Sequence, residues 1–296
     1  MNNYLKEGEL IRSGIAWGAE GILLLTCSPE TEDDSPHTNI HFIQGESKQS
    51  TWVGFNAHTL CRVSMPEVGA LLASEDGFFA LNGTTMSLGN VFDDLASDSG
   101  SSPAGNIRRL NSVAGTGYAV GLRGVAASFA PGSTWRDMSS GLGVECDLFA
   151  VDGRAENCLY AAGARGGLWT WEQGKWTDLQ SPTNVSLVDI CCLSNGEVIA
   201  VGHAGVIVRG QDDRWEVLEF SEISEDIWSV REFDSRVFVS TFSEVYEITQ
   251  DGVEIASSTI DEEYACYSLS SSEKYLWSIG ERDVFRFDGI SWERLL

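Results

Sequence analysis

The sequence is poor in basic residues. Only 19 Lys and Arg stand against 44 Asp and Glu among 296 residues, so the formal net charge at pH 7 is −25. Because like charges repel, this deficit argues against binding to DNA, RNA or an anionic membrane and favours a basic partner.

Long apolar runs are also missing. Stretches such as Ile22–Leu25 have the length of a strand, well short of the roughly 20 residues of a membrane helix.

Signatures of targeting, disulfide bonding and catalysis are missing as well. The N-terminus shows no basic segment followed by an apolar one, so we expect no signal peptide and a cytoplasmic protein. The seven Cys are scattered without a C-x-x-C pair, which predicts reduced thiols and no disulfide or zinc site. No G-x-S-x-G, G-x-x-x-x-G-K-[ST] or H-E-x-x-H motif occurs, which disfavours an enzyme.

What the sequence does contain is an internal repeat. A Trp follows a turn, a hydrophobic residue follows the Trp three positions later, and successive copies are 33 to 50 residues apart. That period is typical of four-stranded propeller blades. The five clear copies are Trp52 with Phe55, Trp135 with Met138, Trp176 with Leu179, Trp215 with Leu218 and Trp292 with Leu295, and the two weaker copies are Thr85 with Leu88 and Val253 with Ala256.

Each period divides into four short β-rich runs separated by Gly, Asp or Asn turns, which is the pattern of strands. In the fifth copy the runs are LVDICCL, VIAVG, VIVRG and RWEVLEF. We therefore predict an all-β chain that forms one domain, a seven-bladed β-propeller with four-stranded blades and almost no helix. The predicted blades span residues 11–55, 56–90, 106–141, 144–182, 185–222, 225–261 and 263–296.

Two segments interrupt the repeat. Blade 1 carries an acidic insertion, Ser28–Thr38, between its second and third strands, and a Gly/Ser/Asp-rich link, Val91–Gly105, joins blades 2 and 3. Both are predicted to be solvent-exposed loops. Residues 1–10 fall outside the repeat, and the sequence leaves open whether they pair with the last blade. The repeat Trp residues are expected to pack between adjacent blades.

The segment Val198–Leu218, VIAVGHAGVIVRGQDDRWEVL, resembles repeats of the photosystem II assembly-factor type of propeller, and so does Tyr275–Leu296. Those families carry a strand of small residues, a Gly turn, another strand and then D-G-x-x-W. This resemblance implies the fold and little about activity, because propellers host many unrelated functions. The chain is also similar in type to short propellers that proteobacteria encode beside secreted polymorphic toxins. That resemblance implies an immunity protein that binds and blocks a cognate toxin.

The turns between second and third strands and the links between blades are expected to open on one face, where loops usually carry function. Charge is unevenly spread: residues 211–263 hold 16 acidic and 3 basic residues, while residues 106–141 carry a net charge of +3. This face is the predicted partner-binding surface. Its candidate residues are Glu30, Glu32, Asp33, Asp34, Asp76, Arg123, Arg165, His203, Glu222, Glu225, Asp226, Glu244, Asp261, Glu262, Glu263 and Arg282.

We expect a non-enzymatic protein, monomeric on its own, whose acidic face binds and neutralises a basic toxin or effector domain. An assembly or scaffolding factor is the alternative, and a propeller hydrolase or lyase with a site on the propeller axis is the third. No nucleic-acid or membrane partner, cofactor, catalytic residue or metal is expected. His37 and His41 have the spacing of a helical metal pair, but here they run from a Pro-containing loop into a strand.

Overall fold

The fold was established from a computed structural model, which describes residues 5–6, 8–28, 36–64, 68–83, 86–99, 105–130, 132–250, 252–258, 260 and 264–296. The chain forms seven four-stranded antiparallel sheets, and each sheet uses four consecutive strands. This architecture is a seven-bladed β-propeller and confirms the predicted fold class.

The strands follow one another blade by blade. Their bounds are β1 (Leu10–Trp17), β2 (Gly21–Cys27), β3 (Thr38–Gln44) and β4 (Ser47–Val53) in blade 1; β5 (Thr59–Ser64), β6 (Val68–Ala73), β7 (Phe78–Asn82) and β8 (Met86–Asn90) in blade 2; β9 (Ile107–Val113), β10 (Thr116–Gly121), β11 (Ala126–Phe129) and β12 (Arg136–Asp137) in blade 3; β13 (Leu148–Ala155), β14 (Cys158–Gly163), β15 (Leu168–Glu172) and β16 (Lys175–Asp178) in blade 4; β17 (Leu187–Cys192), β18 (Val198–Gly202), β19 (Ile207–Gln211) and β20 (Arg214–Leu218) in blade 5; β21 (Ser229–Phe233), β22 (Arg236–Ser240), β23 (Val245–Ile248) and β24 (Val253–Ile255) in blade 6; and β25 (Ser268–Ser271), β26 (Leu276–Ile279), β27 (Val284–Phe287) and β28 (Trp292–Arg294) in blade 7.

The contacts divide the chain into two compact units. The four-blade unit, Ala57–Glu219, holds blades 2 to 5, and the three-blade unit, Met1–Asn56 with Phe220–Leu296, holds blades 6, 7 and 1. The assignment of the whole chain to one domain stays a prediction.

Blade 5 illustrates how the local sequence produces a blade. Gly196, in the turn between β17 and β18, takes a φ of 97°, which lies in the region that favours glycine. All five residues of β18 are buried, because this strand is hydrogen-bonded along both edges. Val198 and Ala200 belong to one buried cluster with Tyr160 and Ala162 of blade 4. Small and β-branched residues in the inner strands therefore allow adjacent sheets to pack closely.

Hydrogen bonds explain the spacing of the repeat. The backbone N–H of the hydrophobic residue that follows the repeat Trp donates a hydrogen bond to the third strand of its own blade. The N–H of Leu179, for example, donates to Leu168 O at 2.9 Å. The carbonyl of the hydrophobic residue in the preceding copy can accept the next indole N–H. Trp176 donates to Met138 O at 2.8 Å, and Trp292 donates to Ala256 O at 3.0 Å. The spacing of three thus supplies an acceptor that ties one blade to the next.

The predicted packing of the repeat Trp residues holds for Trp135 and Trp176, which are 0% and 3% exposed, and is wrong for Trp52, which is 64% exposed. Trp52 lies on β4, where side chains alternate between the two faces of the sheet. Its neighbours on the same face are Lys48 and Ser50, so no apolar stripe is available there for the indole.

The link between blades 2 and 3 is not a simple exposed loop, contrary to the prediction, because it contains α1, Val91–Ser99. Asn90 caps this helix by accepting the N–H of Phe92 at 2.9 Å. Val91 and Leu95 are fully buried in a cluster with Trp135. Apolar positions 91, 92 and 95 form a short helical stripe that the polar composition concealed. In the part of the chain that the structure describes, no helix has the length and apolarity to cross a bilayer.

Blade 1 packs on blade 7 without sharing a strand with it. The N–H of Ile11 donates to Glu281 O at 2.8 Å, and the Tyr267 hydroxyl donates to Ile11 O at 3.0 Å. Leu5 and Leu295 pack against the buried cluster that contains Ile11. Blade 7 keeps four strands of its own, and none of the described residues before β1, 5–6 and 8–9, adds a strand to it. Of the acidic insertion in blade 1, residues 29–35 lie outside the described residues.

The seven cysteines are all free thiols, as the sequence predicted. Cys61, Cys146, Cys191 and Cys266 are buried. Burial raises the pKa of Cys61 and of Cys266, which keeps both thiols protonated at neutral pH. No covalent link between side chains therefore holds the blades together.

The repeat Trp residues provide a matched test of this packing. Replacing Trp176 with Ala removes a buried indole and its hydrogen bond, and should lower the free energy of unfolding by about 3–5 kcal/mol. Replacing Trp52 with Ala, at the same repeat position but exposed, should change it by about 0.5 kcal/mol or less. Urea unfolding followed by tryptophan fluorescence and circular dichroism measures both values. Equal losses for the two variants would contradict the assigned burial.

Candidate functional site

Three turns between second and third strands in the four-blade unit share the pattern G-x-x-G. Their third residues, Arg123, Arg165 and Ala204, adopt left-handed φ values of 60°, 55° and 53°. The glycines that follow them, Gly124, Gly166 and Gly205, have φ values of 76°, 74° and 72°. Two successive residues with positive φ form the tight hairpin turn that matches the twist of antiparallel strands.

The turns at Arg123 and Arg165 are each fixed against the segment that leads into the next blade. The N–H of Arg123 donates to Asp147 Oδ1 at 2.9 Å, and that of Arg165 donates to Ser186 Oγ at 3.3 Å. A Cβ on Gly166 would lie 1.9 Å from the backbone oxygen of Thr183 in the link into blade 5, so only glycine fits there. The loop residues of this unit are therefore held rigidly at the ends of the sheets.

In the four-blade unit, two predicted site residues border an exposed apolar side chain. Val144, in the link between blades 3 and 4, is 70% exposed. The Arg165 guanidinium donates to Glu145 O at 2.8 Å, and the N–H of Gly124, next to Arg123, donates to Cys146 O at 2.6 Å. Both turns thus contact the same link, and we call Arg123, Val144 and Arg165 the arginine patch.

Asp76 and His203, also predicted site residues, shape turns in this unit. Ser74 Oγ donates to Asp76 Oδ1 at 2.5 Å, which closes the turn before β7. His203 is half-buried, and its N–H donates to Ser186 O at 3.1 Å. Hydrogen bonds within the protein therefore explain the positions of both residues.

The three-blade unit gathers four predicted acidic residues at blade 6. Glu222, Glu225 and Asp226 lie in the link before β21, and Glu244 lies in the turn between β22 and β23. Ser243 Oγ donates to Glu225 Oε2 at 3.3 Å, which joins the turn to that link. Ser257 Oγ donates to Glu244 Oε2 at 2.6 Å, which joins the turn to the link after β24.

Buried isoleucines anchor the link that carries these carboxylates. Ile223 and Ile227 are 5% and 0% exposed, so the chain is pinned at both positions while Glu222 and Glu225 face solvent. Because the backbone of this link is already fixed, it loses little conformational entropy on binding, which favours a defined contact surface.

Two exposed aromatic residues accompany these carboxylates, and sequence reasoning missed both. Phe242 is 60% exposed and Trp228 is 37% exposed. The backbone N–H of Trp228 donates to Ser240 O at 2.8 Å, so Trp228 lies beside the end of β22, and Phe242 follows that end two residues later. Trp228 lies outside the Trp repeat, and this departure is the sequence feature that could have identified it as a surface residue. We call Glu222, Glu225, Asp226, Trp228, Phe242 and Glu244 the acidic–aromatic patch.

The other predicted site residues are assigned to neither patch. Arg282 is exposed in the turn between β26 and β27 of the three-blade unit. Seven more lie outside the described residues, namely Glu30, Glu32, Asp33, Asp34, Asp261, Glu262 and Glu263.

The first strands of the blades, which face the propeller axis, carry carboxylates with structural partners. In the four-blade unit, Asp189 lies 3.8 Å from the Arg109 guanidinium. Asp152 accepts the N–H of Cys192 at 2.7 Å and the side-chain amide of Asn111 at 3.1 Å. None of the four histidines lies on a first strand. Among the described residues, no three His, Cys, Asp or Glu side chains converge as a metal site.

Comparison with known proteins gives one informative sequence relative. The chain is 33% identical over 198 residues to a protein of Pseudomonas aeruginosa named immune protein Tsi7, a match that covers 64% of each of the two chains. The chain thus spans less than two thirds of the length of this curated relative. No protein-family model matches the sequence.

Solved structures confirm the fold. The structure of YCF48 bound to D1 peptide has a TM-score of 0.69 with 11% identity, covering 96% of this chain and 93% of that one. The WD40 propeller domain of Doa1 has a TM-score of 0.65 with 12% identity, covering 97% and 92%. The resemblance to an immunity-type seven-bladed propeller that the sequence indicated is confirmed by this relative and by the fold likeness to YCF48.

The left-handed turn residues provide a test of the rigid loop geometry. Ala204→Gly removes the strain of a Cβ at positive φ and should raise the free energy of unfolding by up to about 1 kcal/mol. Ala200→Gly, on the buried strand β18, should lower it by about 1 kcal/mol or more. Urea unfolding of the two variants gives the signs, and a loss of stability in both would contradict the turn geometry.

Proposed function

We propose that this protein is an immunity protein that binds and neutralises a toxin or effector protein in the cytoplasm. The observation that carries the proposal is the 33% identity with a protein named as an immune protein. The proposed role is non-enzymatic, and the propeller serves as a rigid support for loops. The alternative of an assembly factor has the repeat resemblance of Val198–Leu218 in its favour, and that resemblance concerns the fold, which does not imply function.

The acidic–aromatic patch is the proposed contact surface. Its carboxylates would attract a basic partner at long range and increase the rate of association, in a protein of net charge −25. Trp228 and Phe242 would supply the apolar contacts that carry most of the binding energy in protein interfaces. A partner that acts on an anionic substrate would then present its basic surface to these carboxylates and be covered by them.

Charge reversal tests the electrostatic part of the proposal. The tagged protein is first used to capture its partner from the native host at stepwise increasing salt, and the captured protein is purified. The triple variant Glu222→Lys, Glu225→Lys, Asp226→Lys should bind that partner at least about 10-fold more slowly at low salt, with a weaker dependence on salt. Stopped-flow or surface plasmon resonance measures the association rate.

The matched control carries the same change in net charge elsewhere. Glu172, Asp212 and Asp213 lie at turns between third and fourth strands, and their replacement by Lys should leave most of the association rate intact. Equal effects of the two triple variants would show that net charge acts without a specific surface. Capture of no partner at any salt, from cells shown to express the neighbouring toxin gene, would contradict the immunity proposal.

Truncation of the exposed aromatics tests the apolar part. Trp228→Ala and Phe242→Ala should each weaken equilibrium binding by about 10- to 100-fold, with most of the change in the dissociation rate. Ile290→Ala is the control, because Ile290 is 88% exposed in a turn of blade 7 away from the patch. Unchanged dissociation rates in both aromatic variants would place the interface elsewhere.

A further inference from the structure

A row of polar side chains crosses blade 1 from the segment before β1 to the outermost strand. Glu9 Oε1 lies 2.8 Å from His41 Nε2, and His41 Nδ1 lies 2.8 Å from Ser50 Oγ. Thr26 and Asn39 also donate hydrogen bonds to Glu9 Oε1, the latter at 2.9 Å. Glu9 and His41 are buried, whereas Ser50 is exposed on β4. A serine, a histidine and a carboxylate are thus connected in the order used by nucleophilic serines.

The protonation states along this row follow from its surroundings. Burial on its own raises the pKa of Glu9, but hydrogen bonds from Thr26, His41 and the Lys6 N–H outweigh it and lower that pKa to about 2. Burial lowers the pKa of His41; Glu9 raises it by less, and the charges of Lys48 and Lys6 add to the lowering. At neutral pH the network therefore holds a carboxylate and a neutral imidazole.

These states fix the direction of each hydrogen bond. An ionised Glu9 can only accept, so His41 Nε2 carries the proton and donates it to the carboxylate. The other ring nitrogen, Nδ1, is then unprotonated and accepts the hydroxyl proton of Ser50. A serine whose hydroxyl points at a buried, oriented imidazole is the arrangement that makes the oxygen nucleophilic.

The exposed side of this serine carries two further groups. Residues 48, 50 and 52 of β4 alternate onto the same face of the sheet, so Lys48 and Trp52 flank Ser50. Burial lowers the pKa of Lys48, and Glu9 raises it by less. The 64% exposure of the Trp52 indole gives a flat apolar surface beside the hydroxyl. A cation on one side and an aromatic surface on the other suit an ester with an apolar acyl or leaving group.

We propose that Ser50 is a nucleophile, activated by His41 and Glu9, that attacks small activated esters. Ser50 Oγ forms a bond to the acyl carbon while its proton moves to His41 Nδ1, and the ester C–O bond breaks as that proton passes to the leaving oxygen. Water then attacks the acyl-serine by the same proton route and releases a carboxylic acid. This site lies on the outer strand of blade 1, so it is independent of the proposed immunity function and of the acidic–aromatic patch.

A fluorophosphonate probe tests the proposal, because it phosphonylates activated serines and spares ordinary surface hydroxyls. The wild-type protein should take up one probe molecule, located on Ser50 by peptide mass spectrometry. Ser50→Ala should lose the label, whereas Ser47→Ala, an exposed serine of the same strand, should keep it. Label of equal intensity in wild type and Ser50→Ala, or none when a serine hydrolase in the same tube is labelled, would overturn the proposal.

The pH profile and the Glu9→Gln variant separate activation from simple exposure. The labelling rate of the wild type should rise through a pH below about 6.5, as His41 loses its proton, and stay level above it. Glu9→Gln should label about 100-fold more slowly, with circular dichroism reporting whether it folds. If that variant does not fold, the pH profile decides. A rate that is independent of pH between about 4 and 8 would show that His41 is not the base.

Discussion

The close approach of the second-to-third-strand turns of blades 2, 3 and 4 to the segments that enter the next blade is the contact on which the rest of the four-blade unit depends. At Gly124 and Gly166 a Cβ would lie 2.7 and 1.9 Å from the backbone oxygens of Gly143 and Thr183, which belong to the segments that enter blades 4 and 5, so the two segments touch where a side chain is missing. The N–H of Gly124 in blade 3 donates to Cys146 O before blade 4 at 2.6 Å, and the N–H of Ile107 at the start of blade 3 donates to Glu75 O in the turn of blade 2 at 2.9 Å. Because these bonds join backbone to backbone, they fix the angle between successive sheets whatever side chains the turns display.

Because of that constraint, the backbone of the turns holds the sheets together while their side chains remain available for recognition. The turn backbone is committed to structure, while the outward side chains at the same positions vary from Arg123 and Arg165 to Ala204. The acidic–aromatic patch follows a similar division, since Ile223 and Ile227 hold the link and Glu222 and Glu225 remain outside. A surface built in this way can change its partner without changing the sheets below it.

The fold could be read from the sequence because one interaction recurs at a fixed spacing. The hydrophobic residue three positions after the Trp marks a hydrogen bond within a blade, and before Trp176 and Trp292 its carbonyl also accepts the indole N–H of the next blade. Helix α1 escaped prediction because its apolar stripe is too short to show a period, and Trp52 was misjudged because the repeat does not record what lies opposite it.

Much less of the candidate site was predictable. The concentration of carboxylates in the links of blade 6 was visible, but Trp228 and Phe242 differ from core aromatics only in exposure, which a sequence does not display. The row from Glu9 to Ser50 was equally hidden, because its members lie on β2, β3, β4 and the segment before β1. Antiparallel register, which sets His41 opposite Ser50, is a property of the folded sheet.

The use of consecutive strands in every blade has a consequence for the time at which the protein becomes available. A blade such as Leu187–Leu218 contains all the partners of its own ladders, so its sheet can close as soon as its last strand is synthesised, after about 2 to 6 seconds of translation. No thiol oxidation delays the process, because all seven cysteines remain free. In the proposed immunity role the protein has to be folded before the toxin arrives, and local pairing shortens the time that folding takes.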